Sequence, residues 1–535
     1  MSRDTPTSPG GESEEKASLT SWIAVFAGAL GALMATLDIS ITNSALPQIQ
    51  GEIGATGTEG TWISTGYLMS EIVMIPLAGW LSRTFGLRNF LITMAILFTL
   101  FSVICGLSNS LPQMVIGRIG QGFTGGALIP TAQMIIRTRL PRSQLPVGMS
   151  LFGVIVILGP ILGPVLGGWL AENVSWHWCF FLNLPVCCGL IALLLLGLPP
   201  EKSHAESFWQ ADWLGIIGLS AGLSSLTVVL EEGQRERWFE SQMIVTLSLV
   251  CVVGLLLLLV AQFTAKRPVI RLALLGNLRF LSVVVIVFVV GCGLYCVLYL
   301  LPQFLSGIAG YNAQQSGMVL LISGIPSLLL MPILPRLLGK VDIRLMVISG
   351  ILLFSISCFL DTSLTAQSVG ADFTWSQLLR GAGQIMAMLP LNQASMAAVT
   401  AEEAADAAGL YNMARNLGGS VGLALMAVFV DQRNKLHDDV VRESVSANSG
   451  YAHDYLAASS ANYLSHVGDS AYANMQALAS LAGQIQQQAM VITWSETFWL
   501  LGFALLCCIP LTLLLRSPRY ASPGNAKVKT AASRS

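Results

Sequence analysis

Five charged side chains sit where charge is least expected. Asp38, Glu71, Arg118, Arg380 and Arg415 each lie inside a long apolar run, where insertion of a charge costs about 2.5 to 3.5 kcal/mol. A carboxylate in such a place holds or releases its proton according to whether water or a cation reaches it. At a rise of 1.5 Å per residue, Asp38 and Arg118 both fall about 10 Å below the same surface, and Glu71 falls near about 15 Å, close to mid-depth. The chemistry this predicts is reversible protonation of Asp38 and Glu71, tuned by Arg118. The competing reading is a static ion pair that ties two helices together. Arg380 and Arg415 either face a substrate or pair with Asp372 and Asp406.

Composition fixes the setting of these charges. The chain has 535 residues, 54% hydrophobic and 11% charged, with a net charge of −1, against roughly 25% charged residues in a typical soluble protein. So much apolar surface requires lipid as solvent. The neutral balance gives no footprint for nucleic acid. The ten cysteines lie almost entirely in apolar runs without paired spacing, so neither a metal nor a redox site is expected. No GxxxxGK[ST] string is present to cradle nucleotide phosphates, so the energy source expected is an ion gradient, with no cofactor. No ligand cluster or activated nucleophile argues for an enzyme, and no filter-like string argues for a channel.

The elements that must position the charges are membrane helices, each needing about 20 apolar residues. Fourteen candidate runs centre near Gly31, Met69, Leu97, Phe123, Leu158, Leu190, Leu219, Val252, Val289, Ser327, Leu353, Met388, Gly418 and Ala504. Placing both termini in the cytoplasm puts twenty of the 28 Lys and Arg residues on the inner side and five on the outer, with three inside spans, as the positive-inside rule requires. The expected organisation is a cytoplasmic tail 1–20, a six-helix bundle 21–198, an inserted helix pair 212–262, a second six-helix bundle 273–515 containing a long outer loop 432–492, and a cytoplasmic tail 516–535. That loop reads as a solvated connection or as a docking surface, with Ala473 to Met490 of helix-forming composition.

The two bundles read as a duplication. Arg118, Gln121 and Pro130 in span four have counterparts in Arg380, Gln384 and Pro390 in span twelve, and short basic glycine-containing loops follow spans two and ten. Span five carries Gly159, Pro160, Gly163, Pro164, Gly167 and Gly168, small residues that admit close helix contact and prolines that bend the helix. Tyr67, Tyr295 and Tyr299, together with Gln384, Asn412 and the two C-terminal arginines, are candidates for lining a cavity; packing is the alternative for the aromatics.

Four strings, LDISITNSALP (Leu37 to Pro47), GWLSRTFGLR (Gly79 to Arg88), RIGQG (Arg118 to Gly122) and GPILGPVLGG (Gly159 to Gly168), resemble the motifs of the fourteen-span drug:proton antiporters of the major facilitator superfamily, the EmrB/QacA type. The resemblance covers nearly all the chain beyond residue 20. It implies an all-α fold of two six-helix bundles plus a central pair, exporting amphipathic molecules in exchange for protons by alternating access. By position, Asp38, Asn43 and Pro47 match the first-span motif, Gly79, Gly86 and Arg88 the loop motif, Arg118, Gln121 and Gly122 the fourth-span motif, and Gly159 to Gly168 the antiporter motif. Arg83 stands where the superfamily usually has Asp, so a gating ion pair there is absent or rebuilt. The long outer loop is similar to the EmrB branch, which implies a Gram-negative inner membrane, a periplasmic adaptor (membrane fusion protein) and an outer-membrane channel. A dedicated exporter of one metabolite, siderophore or organic acid is the alternative on the same scaffold.

Overall fold

The structure, a computed structural model, describes residues 17–515 except 57–58, 142, 202–210, 266–267, 331, 339, 401, 446–449 and 468. The segments 1–16 and 516–535, which make up most of the two expected tails, lie outside the described residues, as do Arg142, Lys202, Lys266 and Arg267.

The described chain is helical and forms no strand. Its α-helices are α1 (Leu19–Ile53), α2 (Trp62–Phe85), α3 (Leu87–Gly106), α4 (Leu111–Gly125), α5 (Leu128–Arg139), α6 (Leu145–Asn173), α7 (His177–Phe181), α8 (Asn183–Gly197), α9 (Trp213–Glu232), α10 (Gln242–Thr264), α11 (Leu278–Gly307), α12 (Ala313–Leu321), α13 (Gly324–Leu330), α14 (Leu334–Leu338), α15 (Ile343–Leu360), α16 (Thr374–Ala397), α17 (Ala404–Ser444), α18 (Gly450–Val467) and α19 (Ser470–Cys507). In lipid every backbone polar group must be satisfied within the segment, and a helix does this locally.

Ten helical segments among the described residues are long and apolar enough to cross a bilayer: α1, α3, α6, α7 with α8, α9, α10, α11, α15, α17 and α19 with its short 3₁₀ extension. The remaining expected runs correspond to α2, α4 with α5, α12 with α13, and α16. Of these, α2, α4 and α16 are less apolar because they carry Glu71, Arg118, Gln121, Arg380 and Gln384, and α12 with α13 is short and interrupted.

Small residues set the packing. On α6, a Cβ added to Gly159, Gly163 or Gly167 would come within 2.1, 2.2 and 2.3 Å of Thr36, Ser40 and Ser44 on α1. The glycine stripe therefore lays α6 directly on the backbone of the helix that carries Asp38. The same arrangement recurs in the second bundle. Contact of α1 with α6 has its counterpart in α11 with α17, and contact of α3 with α4 in α15 with α16, each pair displaced by eight spans. The inserted helices α9 and α10 pack on each other, and α9 also rests against α2 and α17.

The connection expected as a long loop is largely helical. The helix α17 runs on to Ser444, α19 starts at Ser470, and α18 packs along α19. The Ala- and Gln-rich composition noted for 473–490 is thus part of one continuous helix that enters the next span.

Candidate transport site

Asp38 is enclosed by donors from two helices, α4 and α8. Arg118 Nη1 donates to its Oδ2 at 2.5 Å, while Gln121 Nε2 and Asn183 Nδ2 donate to Oδ1 at 3.1 and 2.6 Å. Ser102 Oγ accepts from both amides, at 2.8 and 3.2 Å. Arg118 also donates through Nη1 to Gln121 Oε1 and through Nε to the Ile63 carbonyl, and its guanidinium lies over the Tyr67 ring, 4.4 Å from the centroid. Neither charged side chain has any exposed surface. Taking such a pair out of water costs several kcal/mol per ion, so the pair persists only because the remaining lone pairs are filled. Sequence spacing placed Asp38 and Arg118 at one level; it gave no sign of Ser102 or Asn183. A lone amide opening the apolar run of α8 was the available signal.

The second bundle repeats the motif with different residues. Arg380 Nη2 donates to Asp361 Oδ2 at 2.6 Å, with both side chains buried. Asp372, the partner considered from sequence, instead accepts from the Val369 amide. Arg415 likewise does not pair with Asp406; its guanidinium donates to Asn416 Oδ1. Asn412 donates to Gln133 Oε1 across the two bundles at 2.8 Å.

Asp406 is taken by Arg83, Nη2 to Oδ1 at 3.0 Å, with Arg271 Nε 3.4 Å from its other oxygen and 3.9 Å separating Arg271 from Glu403. The ion pair of the loop motif is rebuilt with the basic residue on α2 and the acid in the first turn of α17. Gly79 permits the approach, since a Cβ there would meet Ala405 at 3.2 Å. The loop itself turns at Gly86, whose φ of 79° needs a glycine, and Glu201 caps the following helix through the Leu87 amide. Arg88 is half-buried and Asn43 accepts from Ser64 at 2.6 Å. Pro47 lies within α1. A Cβ on Gly122 would meet the Tyr67 carbonyl at 2.1 Å, which explains the glycine between α4 and α2. At the other end of α6, Gly168 lies against Gln314 on α12, in the second bundle.

A small cavity of about 30 Å³ lies between α2, α9, α11 and α17, lined by Leu68, Glu71, Ile72, Thr227, Glu231, Tyr295, Asn416, Ser420 and Leu423. Tyr295 donates to Asn416 and Ser420 to Glu231. Glu71 and Tyr295 both border this cavity. Tyr67 lies beneath Arg118 instead. Tyr299 is 52% exposed on the outer face of α11, Gln384 is half-buried on α16, and neither borders this cavity. Glu231 and Glu232 close α9, a Gly- and Ser-rich helix, and nothing in the sequence marked them among the candidates.

The sequence profile of the Major Facilitator Superfamily matches residues 28–423. The multidrug export protein EmrB of Escherichia coli K12 is 30% identical over 513 residues, covering 94% of this chain and 96% of that protein. The colistin resistance protein EmrB of Acinetobacter baumannii is 30% identical over 496 residues, covering 93% and 96%. The human organic anion transporter MFSD10 superimposes with a TM-score of 0.56 at 16% identity over 91% of this chain and 99% of its own, and the proton:xylose symporter XylE with 0.54 at 15% over 92% and 95%. With two paired bundles, four motifs in register and relatives matched end to end, the chain belongs to the major facilitator superfamily, as a multi-pass membrane transporter of the EmrB type.

Proposed function

We propose that this chain is a proton-coupled antiporter that exports hydrophobic and amphipathic small molecules, a multidrug efflux pump. The observation that carries this reading is the contrast between two buried acidic side chains of the first bundle. Asp38 is sealed in a ring of donors, and Glu71 stands buried at the edge of a cavity between the bundles. One carboxylate is engaged by an arginine and two amides, and the other is placed to exchange its proton for cargo, which is what antiport requires of a low-dielectric site. The names of the relatives, a multidrug export protein and a colistin resistance protein, favour a broad range of cargo over a single metabolite.

In this reading the chain crosses an inner membrane fourteen times, with α2, α4 with α5, α12 with α13, and α16 added to the ten strongly apolar segments, and with both termini cytoplasmic. The helices beyond the membrane, formed by the ends of α17 and α19 with α18, offer the surface for a periplasmic adaptor leading to an outer-membrane channel. The test is transport by purified protein in proteoliposomes. An imposed pH gradient drives uphill movement of an amphipathic dye, D38N abolishes it, and transport that persists after both the pH difference and the voltage are collapsed refutes proton coupling.

A further inference from the structure

Gln133 of α5 and Asn412 of α17 meet where the two bundles touch, at the end that also carries Arg83 and Asp406. One face of α17 makes this contact. Ala405 lies against Gly79 of α2, Gly409 lies against Pro76 of α2, and Asn412 bonds to Gln133. Residues three and four apart share a helix face, so the three contacts form one row. The first two bring small residues to the opposing helix at backbone distance. The third is an amide pair with no exposed surface on either side, whereas Arg83, which engages Asp406 near the start of the same row, is nearly half exposed.

The pair is aimed but only half satisfied. Asn412 Nδ2 donates both to Gln133 Oε1 and to the Ala408 carbonyl of its own helix, each at 2.8 Å, so α17 itself fixes the direction in which the amide points. The other two atoms of the pair, Gln133 Nε2 and Asn412 Oδ1, are buried and take no hydrogen bond among the described residues. An idle buried donor and acceptor raise the free energy of the state that buries them, and exposure to water removes that penalty. Apolar side chains of the same shape would carry no such penalty. The contact therefore closes the joint and at the same time favours its reopening.

We infer that Gln133 and Asn412 are positioning residues for the movement of the two bundles. Their single hydrogen bond sets the register of α17 on the first bundle when this end is closed, and their idle donor and acceptor limit how stable the closed end becomes. The ion pair of Arg83 with Asp406 acts in the opposite sense, holding the same end by attraction. The inference goes beyond the efflux reading, since it holds whatever the transporter carries and whichever ion drives it. It also replaces the cavity-lining role expected of Asn412: an amide with no exposed surface between two bundles seals them.

The test is hydrogen exchange, read by mass spectrometry on the purified full chain in nanodiscs, at the two ends of the bundles. The closed end is reported by 133–139 of α5 and 404–412 of α17, and the opposite end by 45–53 of α1 and 301–307 of α11. Q133M/N412L, which keeps the volumes and removes all the amide atoms, should slow exchange at the closed end about threefold or more and speed it at the opposite end. N412L alone strands Gln133 entirely and should do the reverse, again by about threefold or more. The swapped pair Q133N/N412Q, which preserves the hydrogen bond, should stay within about twofold of the wild type at both ends. A purely structural role would move both ends in the same direction, because lost stability loosens the whole fold. Changes of one sign at both ends, a Q133M/N412L indistinguishable from the wild type, or a swapped pair that behaves like N412L overturns the proposal. Should Q133M/N412L fail to fold, N412L decides: opposite signs at the two ends support the proposal, and equal signs or no change overturn it.

Discussion

Arg83 lies 3.0 Å from Asp406, joining the last turn of α2 to the first turn of α17, and Arg271 approaches the same carboxylate at 3.4 Å. The two arginines are nearly half exposed while Asp406 is 1% exposed, so each cation is screened and replaceable but the anion is not. R83A or R271A alone should therefore cost about 1 kcal/mol or less. The double variant leaves a buried carboxylate unpaired and should cost about 3 kcal/mol or more. The measurement is a double-mutant cycle on thermal unfolding in detergent, with dye export alongside. Additive effects would remove Asp406 from the joint between the bundles.

The network on Asp38 predicts a different ordering. Arg118→Met removes the only cation paired with Asp38 among the described residues and leaves it with amide donors alone, at a cost of about 3 to 5 kcal/mol. Asn183→Ala and Ser102→Ala each remove two hydrogen bonds but no charge and should cost about 1 to 3 kcal/mol each. The combined D38N/R118M variant should be no less stable than R118M, because neither charge is then stranded, yet it should not transport against a gradient. Thermal midpoints in detergent rank these variants, and a double variant far less stable than R118M would contradict the assignment.

Thr65 and Glu232 tie the inserted pair to the first bundle, with Thr65 Oγ1 donating at 2.6 Å. Thr65→Val should weaken this latch by about 1.5 kcal/mol, the scale of a hydrogen bond to a charged group. Hydrogen exchange should then rise in α9 and stay unchanged in α16. Equal protection of α9 in the variant and the wild type would show that the Thr65 hydrogen bond does not hold the insert.

Much of this was legible because lipid imposes a strict code. Each apolar run maps to a helical segment, and the positions of Asp38 and Arg118 in α1 and α4 followed from rise per residue alone. What stayed hidden depended on which side chains meet in space. Asp361 lies at the end of α15 and so was not counted among the intramembrane charges, and the nearer-looking Asp372 was considered for Arg380 instead. Glu231, at the end of α9, was likewise not counted. The departure at Arg83 was visible in the motif, but its partner was not, since Asp406 is 323 residues away and only the contact of α2 with α17 reveals it.

The glycine stripe of α6 makes the most local prediction. A Cβ at Gly163 would lie 2.2 Å from the Ser40 Cβ and 3.0 Å from the Ser40 carbonyl carbon, whereas a Cβ at Gly153 would meet only the Leu389 Cδ1, at 3.6 Å. The first contact pits a methyl group against backbone, which cannot give way without separating α6 from α1; the second is ordinary van der Waals contact. Gly163→Ala should therefore lower the thermal midpoint and cut export, since overpacking of this kind costs about 1 to 3 kcal/mol and displaces the helix that holds Asp38. Gly153→Ala should fold and transport as the wild type does, with a small gain in helix propensity of under about 1 kcal/mol. Export and thermal midpoint measured side by side for the two alanine variants decide it. Equal tolerance would mean that α1 and α6 are free to separate, and that the stripe does not set their spacing.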